Sequence, residues 1–238
     1  EVDWIWVMDD DTEPAPDALE QLFAPGLHRR DNVAGLAPLK VGTDGAVQRI
    51  HAGWYAPFRM TYYPVASSGS CYEQIGYSSF VGFLIRRQTA EHVGLPDAGF
   101  FIWGDDTEYS LRLGRVGKLY LIRDSVIVHH DAFANERKRA TVFSRAWRKR
   151  PTHQYWRNYY ALRNRLLIAQ DCASSRFDRW KSYIAGTLRL MRSAAAVIVL
   201  DSNKLLRLRV LTMAFLHGIR GQRGKWIDPA RFPEEWKH

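Results

Sequence analysis

Apolar positions along this chain come in two textures, and the change between them falls near residue 137. Before it they form short runs: Val2 to Met8 (VDWIWVM), Val33 to Val41, Ala46 to Trp54, Ser78 to Ile85 and Leu119 to Asp131, with Gly- and Pro-containing breaks between them. Runs of this length, rich in β-branched and aromatic residues, predict strands. Two helices interrupt them. Pro14 and Pro16 mark a turn, and Asp17 is placed to cap a helix from Ala18 to about Phe23. The stretch GDDTEYSLRLGRVGK (104 to 118) reads as a loop opening a second helix, ended by Gly114 and Gly117. After residue 137, aromatic and aliphatic residues recur at helical spacing among many arginines, with breaks at Pro151 and around Asp171 to Ser175. The pattern predicts an α/β portion over 1–136 and an Arg-rich helical region over 137–238.

Charge sharpens this division. Residues 1–136 carry 11 Lys and Arg against 19 Asp and Glu, a net −8, whereas 137–238 carry 23 against 6, a net +17. The two portions therefore face different partners. Cys71 and Cys172 are far apart and form no CxxC pair, which argues against a disulfide framework or a zinc site and fits a reducing compartment. The longest apolar run, Ala194 to Leu200, is flanked by Arg192 and Asp201 and is too short to span a bilayer, so no membrane crossing is expected. The chain begins at Glu1, with no starting Met and no signal pattern, and leads directly into a strand expected to be buried. A piece of a longer protein is the expectation.

Two acidic clusters stand at element ends. Asp9, Asp10 and Asp11 follow the first apolar run, where a strand delivers side chains to the carboxyl edge of a sheet. An Asp-x-Asp pair offers oxygen ligands to Mg²⁺ or Mn²⁺, whose shell is usually completed by substrate phosphates and water. Asp105, Asp106 and Glu108 follow GFFIW (99 to 103). A carboxylate beside apolar and like-charged groups suits a general base, Trp103 suits the apolar face of a sugar ring, and the same acids also suit a helix N-terminus. His129 and His130 end a predicted strand, where either is a satisfied strand-end residue or an imidazole ligand.

The strand into Asp9-Asp10-Asp11, the segment SSFVGFLIRR (78 to 87), WGDDTEYSLR (103 to 112) and the trailing His130 together resemble the family 2 inverting glycosyltransferases of GT-A fold. Within that family they are similar to bacterial galactofuranosyl- and rhamnosyltransferases of cell-envelope synthesis. The resemblance implies that Asp9 and Asp11 hold the metal on the donor diphosphate with His130 completing the site, His129 being the other candidate. It implies that Asp106 is the base, that Asp10 and Gly82 lie against the nucleotide-sugar donor, and that Trp103 and Asp105 lie against the acceptor, a polysaccharide or lipid-linked glycan. The βαβ units that bind the nucleotide base in that family have no counterpart here. YYALRNRLLIA (159 to 169) resembles a Tyr-x-x-Arg-Asn segment that follows the catalytic domain, and its basic, aromatic character suggests contact with lipid phosphates at an anionic membrane, peripheral on the cytoplasmic face. A polyanion or nucleic-acid binder using the +17 region, or an inactive transferase fragment, are the competing readings; the first matches no nucleic-acid fold signature and leaves the acidic clusters unexplained.

Overall fold

The computed structural model describes residues 2–65, 69–130 and 151–234. The expected boundary at 136/137, and the first turns of the expected basic helix, lie outside these residues. The chain forms two compact units that interleave along the sequence: Glu1–Tyr55, Tyr62–Pro96 and Asp106–Arg139 make one, and Ala56–Thr61, Asp97–Asp105 and Ala140–His238 the other.

The first unit is a mixed α/β layer structure. Its strands are β1 (Trp4–Val7), β2 (Thr12–Pro14), β3 (Val33–Val41), β4 (Ala52–Ala56), β5 (Thr61–Pro64), β6 (Tyr72–Ile75), β7 (Tyr77–Ser78), β8 (Phe83–Arg86) and β9 (Lys118–His129). The six-stranded sheet runs β1-β8-β3-β9-β2, with β6 also paired to β9; β5-β4-β7 form a smaller sheet. At its centre β3 and β9 are parallel, from Val33 opposite Lys118 to Val41 opposite Val128. The β3 strand reads VAGLAPLKV and is buried along most of its length, as expected for a strand covered on both faces. Pro38 has no N–H for the ladder, and the register shifts immediately after it.

Alternation along the strands sends side chains to two cores. Phe83, Ile85, Leu119 and Leu121 meet Tyr109 and Leu113 of helix α3 (Asp105–Val116) on one face. Leu36, Leu84, Tyr120 and Ile122 meet Leu22 and Leu27, from helix α1 (Ala18–Phe23) and the turn after it, on the other. Helix α2 (Arg87–Val93) follows β8 directly. Three expectations are adjusted. β1 is a half-exposed edge strand instead of a buried one. The Ala46–Trp54 run forms a 3-10 turn at Arg49–His51 before β4 begins. The Ser78–Ile85 run is split, because Gly82 takes a φ of 73° that no strand accommodates.

The second unit is helical: α4 (Trp156–Asp171), α5 (Arg176–Leu200) and α6 (Lys204–Ile219). The break between α4 and α5 falls where the sequence placed it, and Ser175 caps α5 by accepting from the Asp178 N–H. The helices close around Leu166, whose methyl groups fill the space that side chains at Gly186 and Gly218 would need, 2.5 Å and 2.7 Å from where a Cβ would stand. Tyr159, Tyr160, Val197, Val210 and Ala214 complete this core. Two of the arginines point inward. Arg163 and Arg207 are fully buried, and Arg207 pairs with buried Asp201 at 3.2 Å. Part of the +17 charge therefore holds the unit together and is not displayed to a partner. The α5 helix, at 25 residues, is long and apolar enough by length and composition to cross a membrane, which counting uninterrupted apolar residues did not reveal.

Candidate active site

The strand order fixes where the first acidic cluster emerges. β1 is antiparallel to β8, and β8 to β3, so β1, β3 and β9 point the same way and deliver Asp9–Asp11, Lys40 and His129 to one edge of the sheet. In open α/β sheets that carboxyl edge is where ligands bind. After β1 the chain turns, with the Thr12 hydroxyl donating to the Asp9 carbonyl at 2.6 Å, and β2 runs back along β9 with Thr12 opposite His129. This pairing sets Asp11 beside the histidine, with its Oδ1 3.4 Å from His129 Nε2. Asp9 and Asp10 are exposed and Asp11 is half-buried.

The His129 tautomer follows from its other nitrogen. The Gln48 amide donates through Nε2 to the His129 carbonyl at 3.5 Å, which turns its Oε1 toward His129 Nδ1 at 2.8 Å. Nδ1 therefore donates to Gln48, and Nε2 is the nitrogen that faces the Asp11 carboxylate. Among the described residues no three His, Cys, Asp or Glu converge on one point. The donors present, a carboxylate and an imidazole oriented by a neighbouring amide, suit an open site whose remaining positions belong to substrate oxygens and water.

The second cluster begins α3. Asp106 Oδ1 accepts from the Thr107 N–H at 2.6 Å and the Thr107 hydroxyl at 3.1 Å, and Tyr62 bonds the same hydroxyl at 3.1 Å. Beneath it lies Lys40, fully buried, donating to Ser78 Oγ at 2.9 Å. Burial pushes the Lys40 amine down to about 7, although the Asp106 charge acts to raise it. Burial and the nearby Tyr62 and Asp106 raise Tyr77 well above the usual phenol range. Glu108 is committed elsewhere, gripping Arg112 through both oxygens at 2.7 Å and 3.0 Å.

A row of side chains runs between the two clusters within this unit. From Asp11 it passes to His129, whose ring meets His51 edge-on at 4.8 Å between centroids. His51 Nδ1 lies 3.0 Å from Ser79 Oγ, and the next residue back, Ser78, holds Lys40.

In the helical unit, residues 99–104 form a strained loop: Phe101 and Trp103 have φ values of 65° and 62°, unusual for bulky residues. Adjacent residues of α4 hold it. Arg163 donates to the carbonyls of Gly99 and Phe100, and the Asn164 amide to those of Phe100, Ile102 and Trp103 at 2.6–3.0 Å. Trp103 is left half-exposed, and Asp105, two residues on, opens α3.

Three expected roles are corrected by this geometry. His130 is not the imidazole beside Asp11: its ring turns outward to exposed Glu13 at 2.9 Å, while its N–H donates to the Asp11 carbonyl at 2.8 Å. Adjacent strand residues face opposite ways, so only one of the two histidines can look inward, and it is His129. Gly82 is buried, and the space its side chain would take is filled by Ile127 and Pro38, so its backbone is not open to a donor. In the 159–169 segment Tyr159, Tyr160 and Arg163 are buried and turned from any surface, while Arg165 is half-buried. Sequence reasoning missed Lys40, Gln48, His51 and Ser78. Only Lys40, a lone charge in an otherwise apolar strand, carried a signal.

Comparison with known proteins places part of this chain beside a glycosyltransferase. No family model matches the chain. The galactofuranosyltransferase GlfT1 of Mycolicibacterium smegmatis is 31% identical over 121 residues, which cover 48% of this chain and 39% of that relative. The match spans about two fifths of the relative's length, and it relates roughly half of this chain to a glycosyltransferase.

Proposed function

We propose that the chain is part of a metal-dependent inverting glycosyltransferase of family 2 with a GT-A fold. It moves galactofuranose or rhamnose from a nucleotide-sugar donor to a cell-envelope glycan or lipid-linked acceptor. The observation that carries this reading is that Asp11 and Asp106 lie toward one sheet edge, Asp11 beside His129 and Asp106 near enough to Lys40 for its charge to act on the amine; the partial likeness to a galactofuranosyltransferase supports it.

Asp11 and His129 would hold Mn²⁺ or Mg²⁺ together with substrate oxygens and water, Asp9 following β1 at the same edge, and the ion when bound would offset the negative charge gathering on the departing diphosphate. Asp106 takes the proton from the acceptor hydroxyl as its oxygen attacks the anomeric carbon. The bond to the diphosphate oxygen breaks in the same displacement, so configuration inverts and no covalent enzyme intermediate forms. Thr107 orients the Asp106 carboxylate, and the Lys40 amine lies near enough to feel its charge. Trp103 and Asp105 are assigned to the acceptor, and Asp10 to the donor. The free thiols of Cys71 and Cys172 agree with work on the cytoplasmic side, where the protein is peripheral to the membrane.

The test is turnover of UDP-galactofuranose and dTDP-rhamnose with and without Mn²⁺, using this chain and a version extended upstream. Metal-dependent transfer to a glycan acceptor by either version bears the proposal out. Absence of transfer from both donors in both versions, or transfer indifferent to chelation, refutes it.

A further inference from the structure

One face of α5 is unlike any other surface of the helical unit. Its buried side is narrow and made of small residues: Ser182, Gly186 and Val197 pack inward, with Leu166 of α4 and Phe215 of α6 against Gly186. On the opposite side Phe177, Trp180, Ile184, Leu188, Met191 and Ile198 recur at intervals of three, four and seven residues, and all are exposed, Phe177, Trp180 and Met191 each by 60% or more. Spread over a 25-residue helix at 1.5 Å per residue, this stripe runs along most of about 37 Å. Exposed apolar surface of that extent marks an interaction site.

The charge beside the stripe identifies what covers it. A groove of about 970 Å³ runs along its edge between α5 and the Ala56–Thr61 segment, and its lining includes Arg59, Lys181, Arg189 and Arg192 with no carboxylate. Arg189 Nη2 donates to the Met60 carbonyl at 2.8 Å, which ties that segment to the helix. Lys181 reaches Asp178, the single acid of α5, at 3.2 Å. Arg59 and Arg192 are exposed and have no carboxylate partner among the described residues.

We infer that α5 lies in the plane of an anionic phospholipid bilayer, with the stripe from Phe177 to Ile198 among the acyl chains and Arg59, Lys181 and Arg192 on lipid phosphates. A basic amphipathic helix with Trp and Tyr at its margin has the composition of an interfacial helix. Association of two copies through the same stripe would bring like cations together along its edge. A bilayer crossing would strip α5 from α4 and α6 and sink Arg189 and Arg192 into hydrocarbon. This inference rests on the peripheral membrane placement proposed above and names the surface that makes it; because its test reads lipid binding alone, it can fail without touching the transfer reaction.

The experiment is co-sedimentation of the chain with phosphatidylcholine vesicles containing 30% phosphatidylglycerol, and with phosphatidylcholine alone, at about 0.1 M salt. Binding to the anionic vesicles should exceed that to neutral ones. The double variant Trp180→Glu/Met191→Glu should lower it by about tenfold or more, Arg59→Glu/Arg192→Glu should remove the preference for anionic lipid, and Leu95→Glu, at an 84% exposed position in the other unit, should change nothing. Unchanged circular dichroism and melting establish that these surface variants fold. Three results would overturn the inference: no binding to anionic vesicles, binding indifferent to the Trp180→Glu/Met191→Glu pair, or resistance to alkaline carbonate extraction as a spanning helix shows. A lipid-free dimer in sedimentation velocity that the same pair dissociates would assign the stripe to a second copy instead.

Discussion

Both units of this protein bury cations, and two of these, Arg163 and Lys40, have opposite surroundings. Arg163, in the helical unit, donates to the carbonyls of Gly99, Phe100 and Gly224 and to the Asn164 side chain, and lies over the rings of Tyr159 and Tyr160. Lys40, in the α/β unit, has the Ser78 hydroxyl as its hydrogen-bond partner and the Asp106 charge nearby. Desolvation acts on both, but an arginine supplied with acceptors keeps its charge, whereas the lysine falls to about 7 and is poised to titrate. A buried cation saturated with carbonyls is architecture. One left short of acceptors beside a carboxylate marks where the chemistry is.

Substitution at Arg163 should break that contrast most severely. Arg163→Met leaves several carbonyls without donors, so the helical unit should lose roughly 3–5 kcal/mol in denaturant unfolding, with faster hydrogen exchange over residues 99–104. Next comes the pair of histidines. His129→Gln should weaken Mn²⁺ binding by about 10–100-fold in a titration, while His130→Gln, at an exposed position, should leave it nearly unchanged; equal effects would erase the distinction drawn from Asp11.

Lys40 gives a pH signature. Its folded pKa lies below the unfolded value, so between about 7 and 10.5 the unfolded chain binds more protons and stability rises with pH. Below that window both states are protonated and the cost of burying the charge is present in full. Lys40→Met should flatten the slope between pH 7 and 10, read from melting temperatures. The smallest effects concern caps. Ser175→Ala should cost about 1 kcal/mol, because its hydroxyl accepts from the Asp178 N–H. Asp17→Ala should cost little, since Asp17 makes no cap bond and takes only the Gln21 amide, at 3.1 Å.

That last pair shows what the sequence could and could not convey. Asp17 stands where a cap belongs, and α1 indeed begins after it, yet whether its side chain reaches the backbone depends on a local φ and ψ of −100° and 4° that residue type does not encode. β3, α3 and the break before Arg176 were legible because each rests on a local pattern. The acidic clusters were legible as chemistry, for carboxylates at strand and helix ends are distinctive. Their convergence was not, since it requires Lys40, Gln48, His51 and Ser78 to be brought together by strand pairing. Nor was the inward turn of Arg163 and Arg207, which a count of charges assigns to the surface. The apolar stripe on α5 escaped notice because arginines interrupt it in sequence while the helix places them at its margin.

The central claim is that the two acidic clusters serve one reaction, one holding the donor and the other removing the acceptor proton. The most direct measurement is Asp106→Asn, assayed side by side for Mn²⁺-dependent donor binding by calorimetry and for sugar transfer. Donor binding should stay within a fewfold of the unaltered protein while transfer falls by about 10²–10⁴. Transfer that survives the substitution, or binding lost in step with it, would contradict the division of roles between Asp11 and Asp106.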